Sequence, residues 1–597
     1  MNAVNLLLIL PLFFTITLPH SVNSVKQNSS NETIPQHFFE VTLPLPTDNI
    51  TPSCSVNLLN HTFTNTTNSS SVTVNYTTPP DKCHWSVAVL DFKVKYNGEQ
   101  DTSNGIAGVW INGVELLRTT TPQPSENGSF WNIRKDVSKY SSIITHHNLT
   151  LSVVLQNLMK HDVNGVYNVS VSFLFYSDVK FPLSLHSGES GSHSLNRKLM
   201  SFENDIKNYI KNCENEDKLG FDRVIKSSYP YDPPADLIIP LSEASDDGFW
   251  FKIHDESEIQ TKNVRICPKT YKAVLELYVS FHGDDEFWYM NPPDSYIKSN
   301  DLPFTNGKGS YREVLVTIDG KLAGTVIPFP VIYSGGINPL FWKPVVSIGA
   351  FDIPSYDIDL TSYLGLLLDN RNHSIGFQVA DGGSFWLVDA NMHLWIDDTN
   401  VQAIVEYEPP SMEIEHDYEF EGLDGTFETE VERSMSSIRM IQSSKGILKT
   451  KVTEEIKFKN KLKFKDDGTR KELEQKIKTK TKVKTTDTKG HSVGEIVIEK
   501  TYPLKITIAN GRGSSRVNTT VVQGRSVSFS DEVASISRVL NHDLNCTGWI
   551  MAKGNSGFAE NHQSYSYDDG EGGCYSRTVD VVKGDVIADE TTSNCVK

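Results

Sequence analysis

The chain has 597 residues, a formal net charge of −18 and a hydrophobic content of 38%. This length exceeds what one hydrophobic core usually serves, so we expect roughly two to four domains. The negative charge disfavours a nucleic-acid partner, because like charges repel the phosphate backbone.

The first residues form an apolar run, from Leu6 to Leu18, and small residues near Ser21 to Ser24 follow it. This pattern predicts a signal peptide over residues 1–24. The alternative is a membrane anchor, but the run is shorter than the roughly 20 residues needed to cross a bilayer. We therefore expect a secreted chain with no membrane-spanning helix.

Asn-x-Ser/Thr sequences recur along the chain and are densest between Asn60 and Asn75. Each predicts an N-glycosylation site of a secreted protein, and the dense cluster predicts an exposed, solvated loop. The acceptor residues are Asn28, Asn31, Asn49, Asn60, Asn65, Asn68, Asn75, Asn127, Asn148, Asn168, Asn372, Asn518 and Asn545.

The oxidising route of secretion favours disulfide bonds among the seven cysteines. The spacing predicts that Cys54 pairs with Cys83, Cys213 with Cys267, and Cys546 with Cys574 or Cys595. Sequence does not determine the connectivity, and one cysteine is left over. Because there is no CxxC pair, we expect no zinc site.

Short runs rich in Val, Ile, Phe and Tyr alternate apolar with polar residues and end at Gly, Pro or Asn, which predicts β-strands. The clearest runs are Trp85–Tyr96, Ile106–Leu117, Val166–Tyr176 and Tyr271–Phe281. The dipeptides Asn112-Gly113 and Asp319-Gly320 each predict a tight hairpin. Together these signals predict an all-β protein built from β-sandwiches or jelly rolls.

The composition divides the chain into segments. We predict an N-terminal β-sandwich with a glycosylated loop over residues 25–185, a second β-sandwich over 235–400, and a further β-rich domain over 401–597. Between the first two, residues 186–234 are small, polar and proline-rich, which predicts a linker with a possible short helix.

Lysine alternates with Thr, Val, Ile and Phe over Leu448–Lys500. A basic run can bind an anionic surface. The period of two instead favours solvated strands whose lysines discourage edge-to-edge pairing.

Two segments combine carboxylates with aromatic rings. Asp91–Trp131 contains Asp101, Trp110, Glu115, Arg118 and Trp131, and Phe281–Tyr296 contains Asp284, Asp285, Glu286 and Trp288. Aromatic faces stack on sugar rings, and carboxylates bind hydroxyls or activate water. The alternative is a turn with exposed acids and core aromatics. A third segment alternates Asp389, Asn391, His393 and Trp395, which predicts one strand face that binds a metal or, more simply, is hydrogen-bonded within the sheet.

These segments carry a family resemblance. They include WSVAVLDFKVKY, AGVWINGVELLRTTTPQP, YKAVLELYVSFHGDDEFWYMNPPDSY, YSGGINPLFWKPVVSIGAFDIPSYDIDLT and WLVDANMHLWID. They resemble the plant-type peptide-N-glycosidase A family, that is, peptide-N4-(N-acetyl-β-glucosaminyl)asparagine amidase A. The resemblance is specific over about residues 80–180 and 235–400 and looser to the end of the chain.

The resemblance implies two adjacent β-sandwiches with catalytic carboxylates between them and no cofactor. It implies hydrolysis of the amide that joins Asn to the first N-acetylglucosamine, which leaves Asp and releases the glycan. The implied partners are N-glycopeptides or glycans, not nucleic acid or membrane, and the implied location is the extracellular space, the cell wall or the vacuole.

The resemblance assigns individual residues unevenly. Glu286 matches a family acidic residue, and Asp101 stands where an Asp-Arg pair is expected but lacks the Arg. Gln156 stands where a Glu is expected, and an amide cannot ionise. The implied catalytic residues are therefore Asp101 and Glu286. The implied substrate-binding residues are Trp110, Arg118, Trp131, Gln156 and Trp288.

The alternative function is a non-catalytic glycan-binding glycoprotein of the same fold, which the amide at Gln156 favours. A structural wall glycoprotein is a third hypothesis, but the repetitive proline-rich composition that it would need is missing.

Overall fold

The computed structural model describes residues 35–64, 70–98, 105–125, 127–156, 165–177, 233–242, 248–303, 307–444, 446–510, 515–551 and 556–593. The predicted signal peptide, Asp101 and nearly all of the predicted linker lie outside these residues.

Strands account for most of the described chain. They are β1 Gln36–Phe38, β2 Cys54–Thr64, β3 Ser71–Asn75, β4 Val87–Gly98, β5 Ile106–Ile111, β6 Val114–Thr120, β7 Ser129–Asp136, β8 Thr150–Gln156, β9 Gly165–Tyr176, β10 Leu237–Pro240, β11 Phe251–Ile253, β12 Gln260–Arg265, β13 Thr270–Phe281, β14 Glu313–Ile318, β15 Lys321–Val326, β16 Ser355–Asp359, β17 Asn372–Ala380, β18 Trp386–Ile396, β19 Gln402–Glu421, β20 Asp424–Ser443, β21 Gly446–Lys465, β22 Arg470–Thr486, β23 Ser492–Asn510, β24 Arg516–Asp531, β25 Ile536–Met551, β26 Gly557–Asp568, β27 Cys574–Val582 and β28 Asp585–Thr592. The predicted all-β class is confirmed.

The helices of the described residues are short. They are α1 Ser141–Ile144, α2 Asp294–Ser299 and α3 Leu364–Leu367, with 3₁₀ turns at Ser138–Tyr140, Gly283–Asp285, Trp288–Met290, Pro339–Trp342 and Leu360–Tyr363. Among the described helices, none has the length and apolar character needed to cross a bilayer.

The strands form five sheets. Sheet A has the order β1-β7-β4-β9-β2, and sheet B has β3-β8-β5-β6. Sheet C has the order β10-β18-β13-β16 with β11 beside β18, and sheet D has β12-β17-β14-β15. Sheet E contains the ten strands β19 to β28, each antiparallel to the next along the chain.

Side-chain contacts connect the first four sheets in the order A, B, C, D. Tyr76, which follows β3, packs edge-on against Phe173 of sheet A. Trp110 of sheet B packs against Trp250, which precedes β11, and Phe251 of sheet C packs against Phe377 of sheet D. The large core therefore extends without interruption from the N-terminal sheets through the second pair.

Both predicted hairpins are confirmed. Asn112 and Gly113, with φ of 48° and 84°, join β5 to β6, and Asp319 and Gly320, with φ of 50° and 76°, join β14 to β15. Two consecutive positive φ values match the right-handed twist of the flanking strands. The AsnGly and AspGly signals therefore located these two turns correctly.

The cysteine predictions have mixed outcomes. Cys54 and Cys83 form the predicted disulfide, with Cα atoms 6.0 Å apart. Cys267 and Cys574 are also disulfide-bonded, and Cys213, the predicted partner of Cys267, lies outside the described residues. Cys546 is a free, fully buried thiol on β25, so its predicted disulfide is wrong. It packs as a small apolar side chain in the core.

The prediction that the lysine-rich strands discourage edge pairing is wrong in one respect. Their lysines are solvated, but β21 and β22 are interior strands of sheet E. Lys457 lies opposite Glu432 on β20 and is ion-paired with it at 2.7 Å. The edge strands are instead β19 and β28, and β19 carries Pro409 and Pro410 and a row of acids. Proline and charge protect a sheet edge from further pairing.

The described acceptor residues for N-glycosylation are all solvent-exposed. They are Asn49, Asn60, Asn75, Asn127, Asn148, Asn168, Asn372, Asn518 and Asn545. Exposure is what attachment of a glycan requires, and their modification stays a prediction.

Replacing both Cys54 and Cys83 by Ser should lower the free energy of unfolding by about 2–5 kcal/mol, because the bridge constrains the unfolded chain. The two residues are 29 positions apart. Denaturant unfolding of the variant and the parent tests this, with Ser55→Ala, an exposed change on the same strand, as the control. Equal unfolding midpoints for the double variant and the parent would contradict the prediction.

Candidate active site

The contact between sheets B and C is built around the buried guanidinium of Arg118. Its Nε and Nη2 atoms donate to the two carboxylate oxygens of Glu115, each at 2.7 Å. Its Nη1 donates to Leu387 O at 2.6 Å and to Ser280 Oγ at 3.2 Å, both on sheet C. Arg118 and Glu115 are completely buried. The ion pair therefore ties the last strand of sheet B to two strands of sheet C.

Strand β18 supplies two further cross-sheet contacts. The Asn391 side chain donates to Glu115 O at 2.8 Å and accepts from Glu115 N at 3.1 Å. Asp389 accepts from Trp110 Nε1 at 2.9 Å. Burial, and then the neighbouring Glu115 carboxylate, raise the pKa of Asp389 well above its usual value. The alternating face that sequence predicted here is hydrogen-bonded between sheets, and no metal cluster exists among the described residues.

A second buried acid, Glu276, lies on the same face of β13 as Ser280. Its carboxylate accepts from Lys139 Nζ at 2.6 Å and from Tyr140 Oη at 2.9 Å, and His393 Nε2 lies 3.1 Å from it. Burial opposes ionisation, but Lys139 and His393 outweigh it and hold the pKa of Glu276 well below its usual range. Residues of the N-terminal half, which contains sheets A and B, thus neutralise a charge of the second half, which contains sheets C and D.

The polar row on β13 continues towards the end of the strand. Ser280 Oγ lies 2.9 Å from His282 Nε2, and the Tyr333 ring stacks on both Phe281 and His282. Burial, followed by the positive charge of Arg118, lowers the pKa of His282 to about 3. His282 is therefore a neutral imidazole in ordinary buffers.

A 3₁₀ turn, Gly283–Asp285, follows His282 and ends at the half-buried Glu286. Asp285 is completely buried and accepts from Arg312 Nη2 at 2.8 Å, Gly383 N at 2.8 Å and Trp386 Nε1 at 2.8 Å. Burial opposes its ionisation, but Arg312 and these donors hold the pKa of Asp285 below its usual value. Asp285 therefore anchors the turn, and Asp284 and Glu286 are its two partly exposed acids.

Glu286 lies close to Tyr333 and Tyr289. Burial, and then the charge of Glu286, raise the pKa of both phenols above the usual value. The Phe287 ring packs against Gly336, where an added Cβ would stand 3.0 Å from the ring. The next residue, Ile337, has a φ of 62°, which is rare for a β-branched residue. A tightly packed loop therefore borders the Glu286 turn.

The residues predicted to contact the glycan are placed differently from expectation. Trp110, Trp131 and Trp288 are at most 1% exposed. Trp131 stacks on Phe351 and Trp288 on Phe458. The prediction of glycan-facing surfaces is therefore wrong for these three residues, because both ring faces are enclosed in core packing.

Arg118 was predicted to bind substrate, and this prediction is also wrong. Its donors to Glu115, Ser280 and Leu387 are all internal, and its side chain is completely buried. Arg118 is connected to the candidate site only indirectly: it donates to Ser280, whose hydroxyl lies beside His282.

Gln156 lies at the end of β8, in register with Ile106 on β5, which in turn lies opposite Thr120 on β6. Directly opposed residues share one face of a sheet, and Thr120 Oγ1 on this face donates to Ala350 O of the second half at 2.9 Å. The Oε1 atom of Gln156 is buried and has no hydrogen-bond partner within the described chain. Gln156 therefore sits at the end of sheet B that meets the second half.

Sequence reasoning missed Glu276, Tyr140 and Tyr278 as members of the cross-sheet network. Tyr278 Oη lies 2.7 Å from Tyr140 Oη. The signal was present in β13, where Glu276, Tyr278 and Ser280 alternate with apolar residues in the part of the strand that is buried from residue 273 onward. A charged residue at such a position indicates a partner from another element.

Similarity to known proteins covers most of the chain. Residues 42–410 match the model of the family described as peptide N-acetyl-beta-D-glucosaminyl asparaginase amidase A. The peptide-N4-(N-acetyl-beta-glucosaminyl)asparagine amidase A of Prunus dulcis is 34% identical over 584 residues, which cover 95% of this chain and 94% of that protein.

Two solved structures show a more distant likeness. One is PNGase F, a glycosylasparaginase from Flavobacterium meningosepticum, with 12% identity, coverage of 58% of this chain and 97% of that chain, and a TM-score of 0.32. The other is PNGF-II, with 12% identity, coverage of 57% and 65%, and a TM-score of 0.34.

Arg118→Met should lower the free energy of unfolding by about 3–5 kcal/mol, because it leaves the Glu115 carboxylate buried without its partner. The double variant Arg118→Met/Glu115→Gln should recover a large part of this loss. Denaturant unfolding tests both, with Lys480→Met as the control, since its ion pair with Glu499 is half exposed and contributes little. A double variant less stable than the single variant would contradict the prediction.

Proposed function

Because the chain belongs to the peptide N-acetyl-beta-D-glucosaminyl asparaginase amidase A family, we propose that it hydrolyses the side-chain amide between Asn and the first N-acetylglucosamine of N-glycopeptides. The observation that carries this proposal is similarity along nearly the whole chain to an amidase of that name. The Glu286 turn, which lies inside the matched residues, supports it with a partly exposed carboxylate on a rigid support.

In the proposed reaction, water adds to the amide carbon and the bond from this carbon to the glycosyl nitrogen breaks. The peptide keeps the new carboxylate as Asp, and the glycan leaves as a glycosylamine that later loses ammonia to water. No oxidant, reductant or metal enters this balance.

We assign Asp101 to orient and activate the water, and Glu286 to polarise the amide or transfer a proton to the leaving nitrogen. Either carboxylate can take either role, because the geometry relative to the substrate decides which one transfers the proton. Asp285 has no such role, because its carboxylate is occupied by Arg312, Gly383 and Trp386. The support for Glu286 is that its side chain, next to Asp285 in sequence, is partly exposed, whereas Asp285 is completely buried.

A non-catalytic glycan-binding protein is the second candidate function, and one residue favours it. Gln156 places an amide where the family resemblance implies a carboxylate. An amide still accepts a hydrogen bond but cannot act as a base. The two functions differ in whether glycan is released from a glycopeptide.

We further propose that the chain is secreted, with residues 1–24 as signal peptide, and that it acts in the extracellular space, the cell wall or the vacuole. The exposure of the described Asn-x-Ser/Thr acceptors and the Cys54–Cys83 disulfide support this proposal, because both suit an oxidising, glycosylating route.

Glu286→Gln should reduce the rate of Asn-to-Asp conversion in a defined glycopeptide by about 10²–10⁴-fold, because it removes an ionisable group with little change of shape. Mass spectrometry of the peptide product measures the rate. The control is Glu415→Gln on the exposed edge strand β19, which should match the parent. Equal rates for Glu286→Gln and the parent would exclude the assigned role.

Gln156→Glu should increase the same rate if the amide is a weakened catalytic position. The complementary result is informative as well. If the parent protein converts no Asn to Asp but retains the glycopeptide on a column, the glycan-binding function replaces the amidase proposal.

A further inference from the structure

One of the predicted glycan acceptors, Asn518, lies beside a partly exposed tryptophan in sheet E. Asn518 is the third residue of β24 and lies directly opposite Trp549 on β25. Directly opposed residues of an antiparallel pair share one face of the sheet, and their Cβ atoms are about 4.5–5.5 Å apart. A sugar ring bonded to the Asn518 side chain is therefore within reach of the indole.

The hydrogen bonds of Asn518 leave the attachment atom of a glycan open. Its Oδ1 accepts from Arg516 Nε at 3.0 Å, and its Nδ2 donates no hydrogen bond within the described chain. An N-linked glycan is bonded to Nδ2 of the Asn in an Asn-x-Ser/Thr sequence, which Thr520 completes here. The exposed side chain can thus carry a glycan and keep its hydrogen bond to Arg516.

Trp549 offers a flat apolar surface next to this attachment atom. The Arg516 guanidinium covers one face of the indole, with Cζ 4.4 Å from the ring centroid, and the side chain remains partly exposed. The C–H groups on one face of a pyranose ring are apolar and slightly positive, so they pack well against the negative face of an aromatic ring. The first sugar of an N-glycan therefore fits beside Trp549.

The other neighbour of Asn518 leaves room for a sugar. Ala509 of β23 lies directly opposite Asn518 on the side away from Trp549. A methyl group neither covers a sugar ring nor competes with the indole for it. Of the two residues directly opposite Asn518, only Trp549 provides a ring, so the contact has one direction.

The strand that carries Trp549 is fixed from its opposite face. A Cβ at the adjacent Gly548 would stand 2.9 Å from the Phe341 ring, so Gly548 faces the second half of the molecule. Neighbouring residues of a strand point to opposite faces of the sheet. Trp549 therefore points away from the second half, on a strand whose position the contact with Phe341 restrains.

We propose that Asn518 carries an N-linked glycan whose first N-acetylglucosamine packs against the indole of Trp549 and holds the ends of β24 and β25 together. β24 begins at Arg516 and β25 ends at Met551, so the contact lies at a strand end, where local opening is easiest. The proposal is independent of the proposed amidase function, because it concerns a modification of this chain and not its substrate.

The first measurement establishes whether Asn518 is modified. The full chain is produced through the secretory route of a eukaryotic host, and an endoglycosidase trims each glycan to one N-acetylglucosamine. Mass spectrometry of the tryptic peptide 517–525, which Arg516 precedes and Arg525 ends, should then show the added mass of this sugar. A peptide without the sugar would overturn the proposal.

Hydrogen exchange of the trimmed full chain then measures the contact with the indole. Amides at the paired ends of β24 and β25 should exchange about three- to tenfold more slowly in the parent than in Asn518→Gln, the factor expected for one ring contact. The variant Trp549→Leu keeps apolar bulk but removes the flat ring, so in its background the sugar should make no difference to these rates. Equal slowing in both backgrounds, or none in the parent, would overturn the proposal.

Two further variants serve as controls. Asn545 is an acceptor on the same face of β25, and it lies opposite Val522 and His562 rather than a tryptophan. Asn545→Gln should therefore leave the exchange rates around its own position unchanged, whereas a change as large as that of Asn518→Gln would show that glycans act without a ring and would overturn the proposal. Trp549→Phe keeps an aromatic face and should retain most of the slowing. Loss as complete as in Trp549→Leu would also overturn the proposal.

Discussion

The rest of the structure depends on the buried ion pair between Arg118 and Glu115. A charge that leaves water must be paired and hydrogen-bonded, or the fold loses several kcal/mol. Arg118 meets this requirement only if Ser280 and Leu387 of sheet C stand where its Nη1 atom can reach them. The relative position of the two halves is therefore set by directional polar contacts as well as by apolar packing. Apolar packing alone would tolerate small shifts between the halves.

This constraint reaches the candidate site along one face of β13. Glu276, Tyr278 and Ser280 alternate on that strand and contact the N-terminal half. The strand then ends, and His282 directly precedes the 3₁₀ turn that ends at Glu286. The Ser280 hydroxyl thus accepts a hydrogen bond from Arg118 and also lies within hydrogen-bond distance of His282 Nε2. The placement of Glu286 follows from contacts made by residues far away in sequence.

Sequence predicted the local features well and the long-range ones poorly. Strand periodicity and the dipeptide Asn112-Gly113 depend on near neighbours, so they located β5 and β6 correctly. The position of Trp288 could not be read in the same way, because a tryptophan on a sugar site and one in the core have the same sequence context. Lys457 looked like edge protection, but which strand is an edge depends on the order of ten strands. Such order is a property of the folded chain.

The role of sheet E follows from the same requirement, that buried polar groups need hydrogen-bond partners. Loops are normally exposed, because a buried loop carries backbone groups without partners. Sheet E removes this limit by presenting buried amides to the loops of the second half: Asn460 donates to Tyr289 O at 2.9 Å, Gln523 to Pro330 O at 2.8 Å, and Gln563 to Val346 O at 2.9 Å. Tyr289 belongs to the turn after Glu286. The C-terminal sheet therefore lets the loops around the candidate site be buried and rigid. Sheet E contributes to the site through these amides. The acids assigned to the reaction belong by sequence to the N-terminal half and the second half.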